Sequence, residues 1–435
     1  MFSPTFEAKK LMPKQKTLPI FIWSNHTPEV AIQEQAVKLS LHPAAVNRVC
    51  LMADMQYGPA GMPVGGVVAL ENAVCPGMVG VDINCGMAYL ELGQKTSSIS
   101  TRQYWDIMGE IERTVPMGAG RAHTNSSTKN TDWILSNAYR AVAGGSVHDS
   151  RAGITALSQI FTWATSEFLT KIAPDQLGTL GGGNHFIDLV ESQETGCLGI
   201  LVHTGSRRLG YDIGTYYTNL AKELCDTWRV PLSDPNFAFL PTSTKEGQDY
   251  IRDMEFASAY ANENRRLIIV ACLDAVRLVL GEHVCPDDLV TCAHNFARLE
   301  NHFGRNVWIH RKGATSAADG ELAIVPGSMG DSSFIVRGKG SENSFKSCSH
   351  GAGRIIPPAQ ACLMLTKEVC DAAMNGIIFK GWPTIKKDRG KLKKGMLNFG
   401  EAPQAYRPIK KVIAAQADLI EPLVELKPVA VMMGD

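Results

Sequence analysis

The chain has 435 residues, 45% hydrophobic and 20% charged, and its 43 basic residues balance 43 acidic ones. That length can bury a substantial core, and the charge balance excludes a globally basic nucleic-acid binder, so any polyanion site must be a local patch. No apolar run reaches the ~18 residues of a membrane span. The N-terminal stretch MFSPTFEAKKLMPKQK lacks the apolar centre of a secretion signal, so a cytosolic protein is expected. Eleven scattered cysteines without a C-x-x-C pair argue against a disulfide framework or a zinc ribbon, and most read as small buried hydrophobes.

In chain order, the first unusual stretch is 54–86. It ends in GVDINCG, with a carboxylate, Asp82, three residues before a thiol, Cys85, between glycines. Residues 117–150, polar and rich in Gly, Ser and Asn, read largely as a mobile surface loop. Ile154, Leu157, Phe161, Ala164 and Phe168 then recur at steps of three and four, the pattern of an amphipathic helix. LGTLGGGNHF (177–186) and LVHTGSRRLG (201–210) follow, presenting His185 and His203. The first is neither a Walker loop nor a dinucleotide fingerprint. Residues 256–280 read as a long buried helix stopped by Gly281.

On either side of it, CLGILVHTG, NVWIHRKG, ELAIVPGSMG and SSFIVRGKG share one design: a short β-favouring run that breaks at glycine, with His203, Arg311, Lys312 or Ser328 just past the apolar part. Strand ends that feed glycine-rich loops are where sites are commonly built. CAHNFARLE presents His294, and PGSMGDSS (326–333) offers backbone N–H groups and hydroxyls suited to an anion nest. In SCSHGAGR (347–354) small residues follow His350, leaving its imidazole free to act as a nucleophile if its other nitrogen is held. KKDRGKLKK (386–394) is the strongest basic run. It reads first as a solvated face and second as a phosphate-contacting patch.

A lone histidine at a strand end is usually structural, and so is a lone buried cysteine. Together, however, Asp82, Cys85, His185, His203 and His294 supply about the ligand number of two divalent ions with open positions. The donor set does not select the metal. Thiolate and imidazole suit Zn, Fe or Co, whereas carboxylate and phosphate oxygens suit Mn or Mg.

In this order the segments resemble the RtcB family of RNA-splicing and repair ligases, from about Met52 to Gly434. The resemblance rests on DINCG, LGTLG-x-GNHF, H-x-GSR, the HN of CAHN, RKGA, PGSMG, SFIVRG, CSHGAGR and EAP-x-AY (401–406). It implies an RNA ligase joining a 3′-phosphate or 2′,3′-cyclic phosphate end to a 5′-hydroxyl end, with GTP and two Mn²⁺ ions. Asp82, Cys85, His185, His203 and His294 would be the metal ligands, with Cys85 bridging both ions. His350 would carry GMP as a covalent phosphoramidate.

The resemblance further implies a guanylate site. Asn184, His185, Phe186, Ile187 and Asp188 would form one wall, with His294 and Asn295 beside them. Pro326, Gly327, Ser328, Met329 and Ser333 would form a second wall. His350, Gly351, Ala352, Gly353 and Tyr406 would complete it, and Arg207 would hold RNA or substrate phosphate. The implied architecture is α+β, one large catalytic domain over residues 1–435 with mixed, largely antiparallel sheets surrounded by helices.

Some positions depart from the family pattern. Ala53 and Gln56 replace the Pro and His of an early P-D-x-H-x-G motif, and Asp188 shortens a glutamate. Pro357 and Pro358 follow HGAGR, and Met433 stands where a lysine contacts guanine; methionine cannot donate that hydrogen bond. These changes mark a divergent branch. Two other functions are consistent with the same residues. One is a dinuclear-metal RNA-end phosphoesterase without ligation, the other a non-catalytic RNA-end binder.

Overall fold

The computed structural model describes residues 17–24, 27–58, 61–124, 128–143, 161 and 163–434. Its centre is a seven-stranded sheet in which every neighbouring pair is antiparallel. In spatial order the strands are Leu322–Val325, Ser333–Gly338, Ile420–Met433, Phe186–Ser192, Cys197–Thr204, Gly86–Lys95 and Val290–Ala293. A five-stranded sheet lies beside it, built from Ile20–Ile22, Ala45–Gln56, Val64–Leu70, Arg305–Lys312 and Asn295–His302. Only its edge pair, Ile20–Ile22 on Val49–Leu51, is parallel. The fold is therefore α+β with largely antiparallel sheets.

The register of the large sheet explains how distant segments meet. Gly86 pairs with Thr204 and with Ala293, while Phe186 pairs with His203 and with Met433. The starts of two strands and the ends of three others thus share one edge of the sheet. Cys85, His185, His203 and His294 sit at or one residue beyond that edge. Antiparallel pairing alone brings them together, although they span more than two hundred positions of sequence.

The four runs read as strands from their β-branched composition form strands Cys197–Thr204, Arg305–Lys312, Leu322–Val325 and Ser333–Gly338. The long helix is present and longer than its apolar stretch predicts, Lys245–Leu280. It starts at Thr244, whose hydroxyl accepts from Gly247 N at 3.2 Å, and stops at Gly281, where φ is +106°. One face packs on the back of the sheet through Ile268, Ile269, Cys272 and Val276.

The expectation of a loop over 117–150 is corrected in part. Thr128–Ala143 is a helix, because Ile134 and Leu135 bury themselves in the main core and repay its ordering. Residues 144–150 and most of the helix read from Ile154 onward lie outside the described residues. From that pattern Phe161, Ala164 and Phe168 are buried in the same core. Among the described residues no helix is long and apolar enough to cross a membrane.

A candidate metal centre beside an aspartate-held histidine

Asp82 and Cys85 lie on a tight loop in which Asn84 takes a left-handed conformation, φ +56°. Asparagine tolerates that region better than most residues. The loop is held from several sides. Asn84 Nδ2 donates to Ser258 O and Asn262 Oδ1, Asn295 Nδ2 donates to Asp82 O at 3.1 Å, and the buried Arg265 donates to Asn84 O at 2.8 Å and Thr204 O at 3.0 Å. One guanidinium therefore ties the Cys85 loop to the end of the His203 strand. Gly205 is required by close approach, since a Cβ there would lie 2.1 Å from Asp82 Oδ1.

Five side chains converge on this edge. Cys85 Sγ is 3.4 Å from His185 Nε2 and 3.3 Å from His203 Nε2. His203 Nε2 is 3.3 Å from His294 Nε2, and His185 Nε2 is 3.0 Å from Asp82 Oδ2. The potential ligand atoms form two triads, Cys85–His203–His294 and Asp82–Cys85–His185, which share the sulfur. Cys85, His185, His203 and His294 are buried, and Asp82 is partly exposed.

The hydrogen bonds behind the rings define what this cluster lacks. His185 Nδ1 faces Leu180 O at 2.9 Å and His203 Nδ1 faces Asn184 O at 3.0 Å. A carbonyl only accepts, so each Nδ1 carries the proton and each Nε2 presents a lone pair. These lone pairs then face a carboxylate oxygen and another ring nitrogen at hydrogen-bond distance, an arrangement that needs a cation or a shared proton between them. Burial opposes protonation of His203 and His294, depressing the first to about 3 and the second far below the usual imidazole value. Burial also pushes the Cys85 thiol well up, which only a bound cation reverses by taking the thiolate. Asp82 runs the other way: burial alone would raise it, but positive charge shared with His185 Nε2 outweighs burial and holds it far below the usual carboxylate range. The donor set, its tautomers and its lack of protons fit divalent metal.

His350 stands next to this cluster, its ring centroid 4.7 Å from that of His294. It follows strand Ser347–Ser349 and meets the buried Asp54 of strand Ala45–Gln56. Asp54 Oδ2 accepts from His350 Nδ1 at 2.6 Å, His350 N at 2.9 Å and Gly351 N at 3.1 Å. The proton is thereby held on Nδ1 and Nε2 is left as the free base. Asp54 belongs to ADMQYG, between the departures at Ala53 and Gln56. Sequence reasoning asked for a partner to His350 but did not assign one.

A cavity opens in front of His350. Asn184, Phe186 and Asp188 line one side, Pro326 through Met329 a second, and His350 through Gly353 with Tyr406 a third. His203 and Met433 also reach it. Five predicted nucleotide residues sit elsewhere, two of them, His185 and His294, in the metal-capable triads. Ile187 points to the opposite face of its strand, in the core with Leu189 and Ile200. Ser333 Oγ accepts from Gly327 N at 3.2 Å, shaping the turn instead of facing the cavity. Asn295 braces the Asp82 loop and accepts from Gly313 N at 2.8 Å.

Arg207 begins a helix with φ +54° and lays its guanidinium over Gly181, where a Cβ would fall 1.9 Å from Nη1. Its Nη1 is 3.5 Å from His185 Nδ1. Three residues of the cavity lining not assigned from sequence, Gln56, Arg354 and Glu401, gather with Tyr406. Arg354 donates to Tyr406 Oη at 2.6 Å and to Glu401, and Gln56 Oε1 accepts from Arg354 N at 2.8 Å. Gln56 thus fills its position with a working polar contact.

A metal-capable edge, a held imidazole and a polar cavity together are the equipment of phosphoryl-group chemistry. The model of one family, described as tRNA-splicing ligase RtcB, matches residues 35–434. This chain belongs to the RtcB family. It is 32% identical over 425 residues to RNA-splicing ligase RtcB1 of Escherichia coli, covering 96% of this chain and 97% of that protein. It is 28% identical over 453 residues to tRNA-splicing ligase RtcB of Pyrobaculum aerophilum, covering 92% and 90%, respectively.

Proposed function

We propose that this chain is an RNA ligase that joins a 3′-phosphate or 2′,3′-cyclic phosphate end to a 5′-hydroxyl end, using GTP and two Mn²⁺ ions. One observation carries the reading. Two ligand triads share the sulfur of Cys85, directly beside an imidazole whose Nδ1 is fixed by a buried carboxylate. When bound, the ions neutralise phosphate charge and align the reacting groups.

The chain's own residues do the rest. Asp54 keeps the proton on His350 Nδ1, so the Nε2 lone pair attacks the α-phosphorus of GTP. A P–N bond forms as the P–O bond to pyrophosphate breaks, and Asp54 stabilises the positive charge the ring acquires. The guanylate then passes to an oxygen of the RNA 3′-phosphate, restoring neutral His350. The 5′-hydroxyl attacks that activated phosphorus, loses its proton and displaces GMP. A cyclic phosphate end is first opened by water. Arg207, beside His185, is suited to hold a substrate phosphate, and the N–H groups of Ser328 and Met329 are suited to the nucleotide.

The test mixes protein, Mn²⁺ and GTP labelled on the α-phosphate. The expected product is an acid-labile, alkali-stable protein adduct that His350→Ala abolishes. An absence of adduct with every divalent metal, or one undiminished in His350→Ala, overturns the reading. A second reading, a metal-dependent RNA-end phosphoesterase, draws on Met433, which offers no hydrogen-bond donor at the cavity wall. It expects cyclic-phosphate opening or phosphate removal without any nucleotide.

A further inference from the structure

The basic run at 386–394 is not accounted for by this chemistry. It forms the tip of a hairpin. Thr384 bridges Leu397, Ile385 N donates to Met396 O at 2.8 Å, and Arg389 and Leu392 close the turn around Gly390 at φ +59°. Lys386, Lys387, Arg389, Lys391, Lys393 and Lys394 are all exposed there, with Asp388 the one acid. Six cations minus one anion leave +5 on nine residues, in a chain whose formal net charge is zero. Among the described residues, only Lys393 has an acidic partner, Asp388 at 3.4 Å. Crowding unpaired like charges on a two-stranded ribbon is destabilising.

The foot of the hairpin is as rigid as its tip is charged. Trp382 stacks edge-on with Phe379 and with Phe399, each at 5.3 Å, and its Nε1 donates to Asp371 at 2.8 Å. Between foot and tip runs a groove lined by Phe379, Trp382 and Arg389. Its other wall is Met329, Glu401 and Met433, the same three residues that line the cavity in front of His350. The groove and the reaction cavity therefore share one wall. A chain leaving the reacting phosphate passes aromatic rings and then a cationic ridge. Regular stacking faces beside a backbone-tracking positive groove are how single strands are held without sequence preference. A duplex, with its bases enclosed, gains only the ridge.

We propose that this groove and the Lys386–Lys394 ridge bind a single-stranded stretch of the RNA substrate leading away from the end being joined. The inference rests on the reading that the chain acts on RNA ends and names the part of the substrate that gives it affinity. From Thr384 to Arg389 the ridge rises about 17 Å at roughly 3.3 Å per residue, so its cations span several nucleotides, more than a dinucleotide end supplies.

The test compares wild type with Lys386→Gln/Lys387→Gln/Arg389→Gln/Lys391→Gln, all exposed positions. The probe is a single-stranded, 3′-phosphorylated RNA of about 12 nucleotides, its binding followed by fluorescence anisotropy from ~50 to ~200 mM salt. The variant should bind at least about tenfold more weakly. Its log–log salt slope should be smaller by roughly 2 to 3, since each lost single-strand phosphate contact removes about 0.7. In ligation the KM for this RNA should rise while kcat holds. Adduct formation with nucleotide alone, and joining of dinucleotide ends, should match wild type.

An unchanged salt slope and KM overturn the proposal. So does an equal loss on dinucleotide ends, or a ridge-dependent affinity for blunt duplex as great as for the single strand. If wild type forms no adduct yet binds the single strand through the ridge, the ligase reading fails and the groove stands.

Discussion

Replacing Asp54 with asparagine isolates the residue that turns His350 into a base. The side chain is wholly buried, and one oxygen receives three N–H donors, at 2.6, 2.9 and 3.1 Å. Asparagine keeps the shape. With its amide oxygen toward the three donors it replaces charge-assisted hydrogen bonds by neutral ones, each weaker by about 1 kcal/mol. Folding should lose about 1–3 kcal/mol and the backbone turn should survive. Chemistry should lose more. Without the carboxylate, the Nδ1–H form is no longer enforced, and the positive ring formed on attack has no counter-charge. Tautomer control of this kind is worth about 3–5 kcal/mol, so single-turnover adduct formation should slow by roughly 10² to 10⁴. Rapid quench with α-labelled GTP measures that rate. Metal content is the control, because Asp54 belongs to neither triad. A rate within about threefold of wild type, with the variant folded, would refute the assigned role of Asp54.

The shared sulfur makes stoichiometry diagnostic: Cys85→Ala should lose both ions and His294→Ala one, read by mass spectrometry of metal after dialysis, and two ions retained by Cys85→Ala would contradict a bridge. Met433→Lys should raise the ratio of GTP to ATP use by about tenfold, because an ammonium beside Asp188, whose carboxyl burial pushes well up and whose Oδ1 has no partner, favours the carboxylate that guanine's two donors require. An unchanged ratio would remove Asp188 and Met433 from base selection. Arg265→Met strands the carbonyls of Asn84 and Thr204 and should cost about 2–5 kcal/mol, lowering Tm by about 2–5 °C in a chain of this size, whereas a Tm within about 1 °C would mean the loop is held by its other bonds. At Glu300, burial acts upward, but the hydrogen bonds of His302 and the charge of Arg311 outweigh it and bring the carboxyl from 4.5 to about 2. That depressed value contributes stability above pH 4.5, lost as pH falls toward 2, on the order of 3 kcal/mol. Urea unfolding across this window should show the loss in wild type and not in Glu300→Gln.

The parts legible in the sequence were those whose chemistry is local. DINCG, GNHF and HTGSR each place a donor one step from a glycine or at a strand end, and β-branched runs marked the strands behind His203, Lys312 and Val325. That these donors share one site was readable from their combined ligand number and from a resemblance, but its cause is register: Gly86 opposite Thr204 and Ala293, and Phe186 opposite His203 and Met433. A pairing register is a tertiary fact that no window of residues contains. Ile187 illustrates the converse. It stands within a predicted nucleotide-binding run, yet strand alternation turns it into the core while Phe186 and Asp188 face the cavity. The helix at Thr128–Ala143 was hidden because a few buried residues outweighed a polar composition.

Asp54 and Arg265 were hidden for a deeper reason. Neither belongs to the reacting set by residue type or spacing, and each acts through another residue's backbone or ring, across 296 positions for Asp54 and 181 for Arg265. Active-site donors leave a trace in sequence because their chemistry restricts the residue itself. Positioning residues are restricted by geometry, and that geometry exists only after the two sheets have closed on one another.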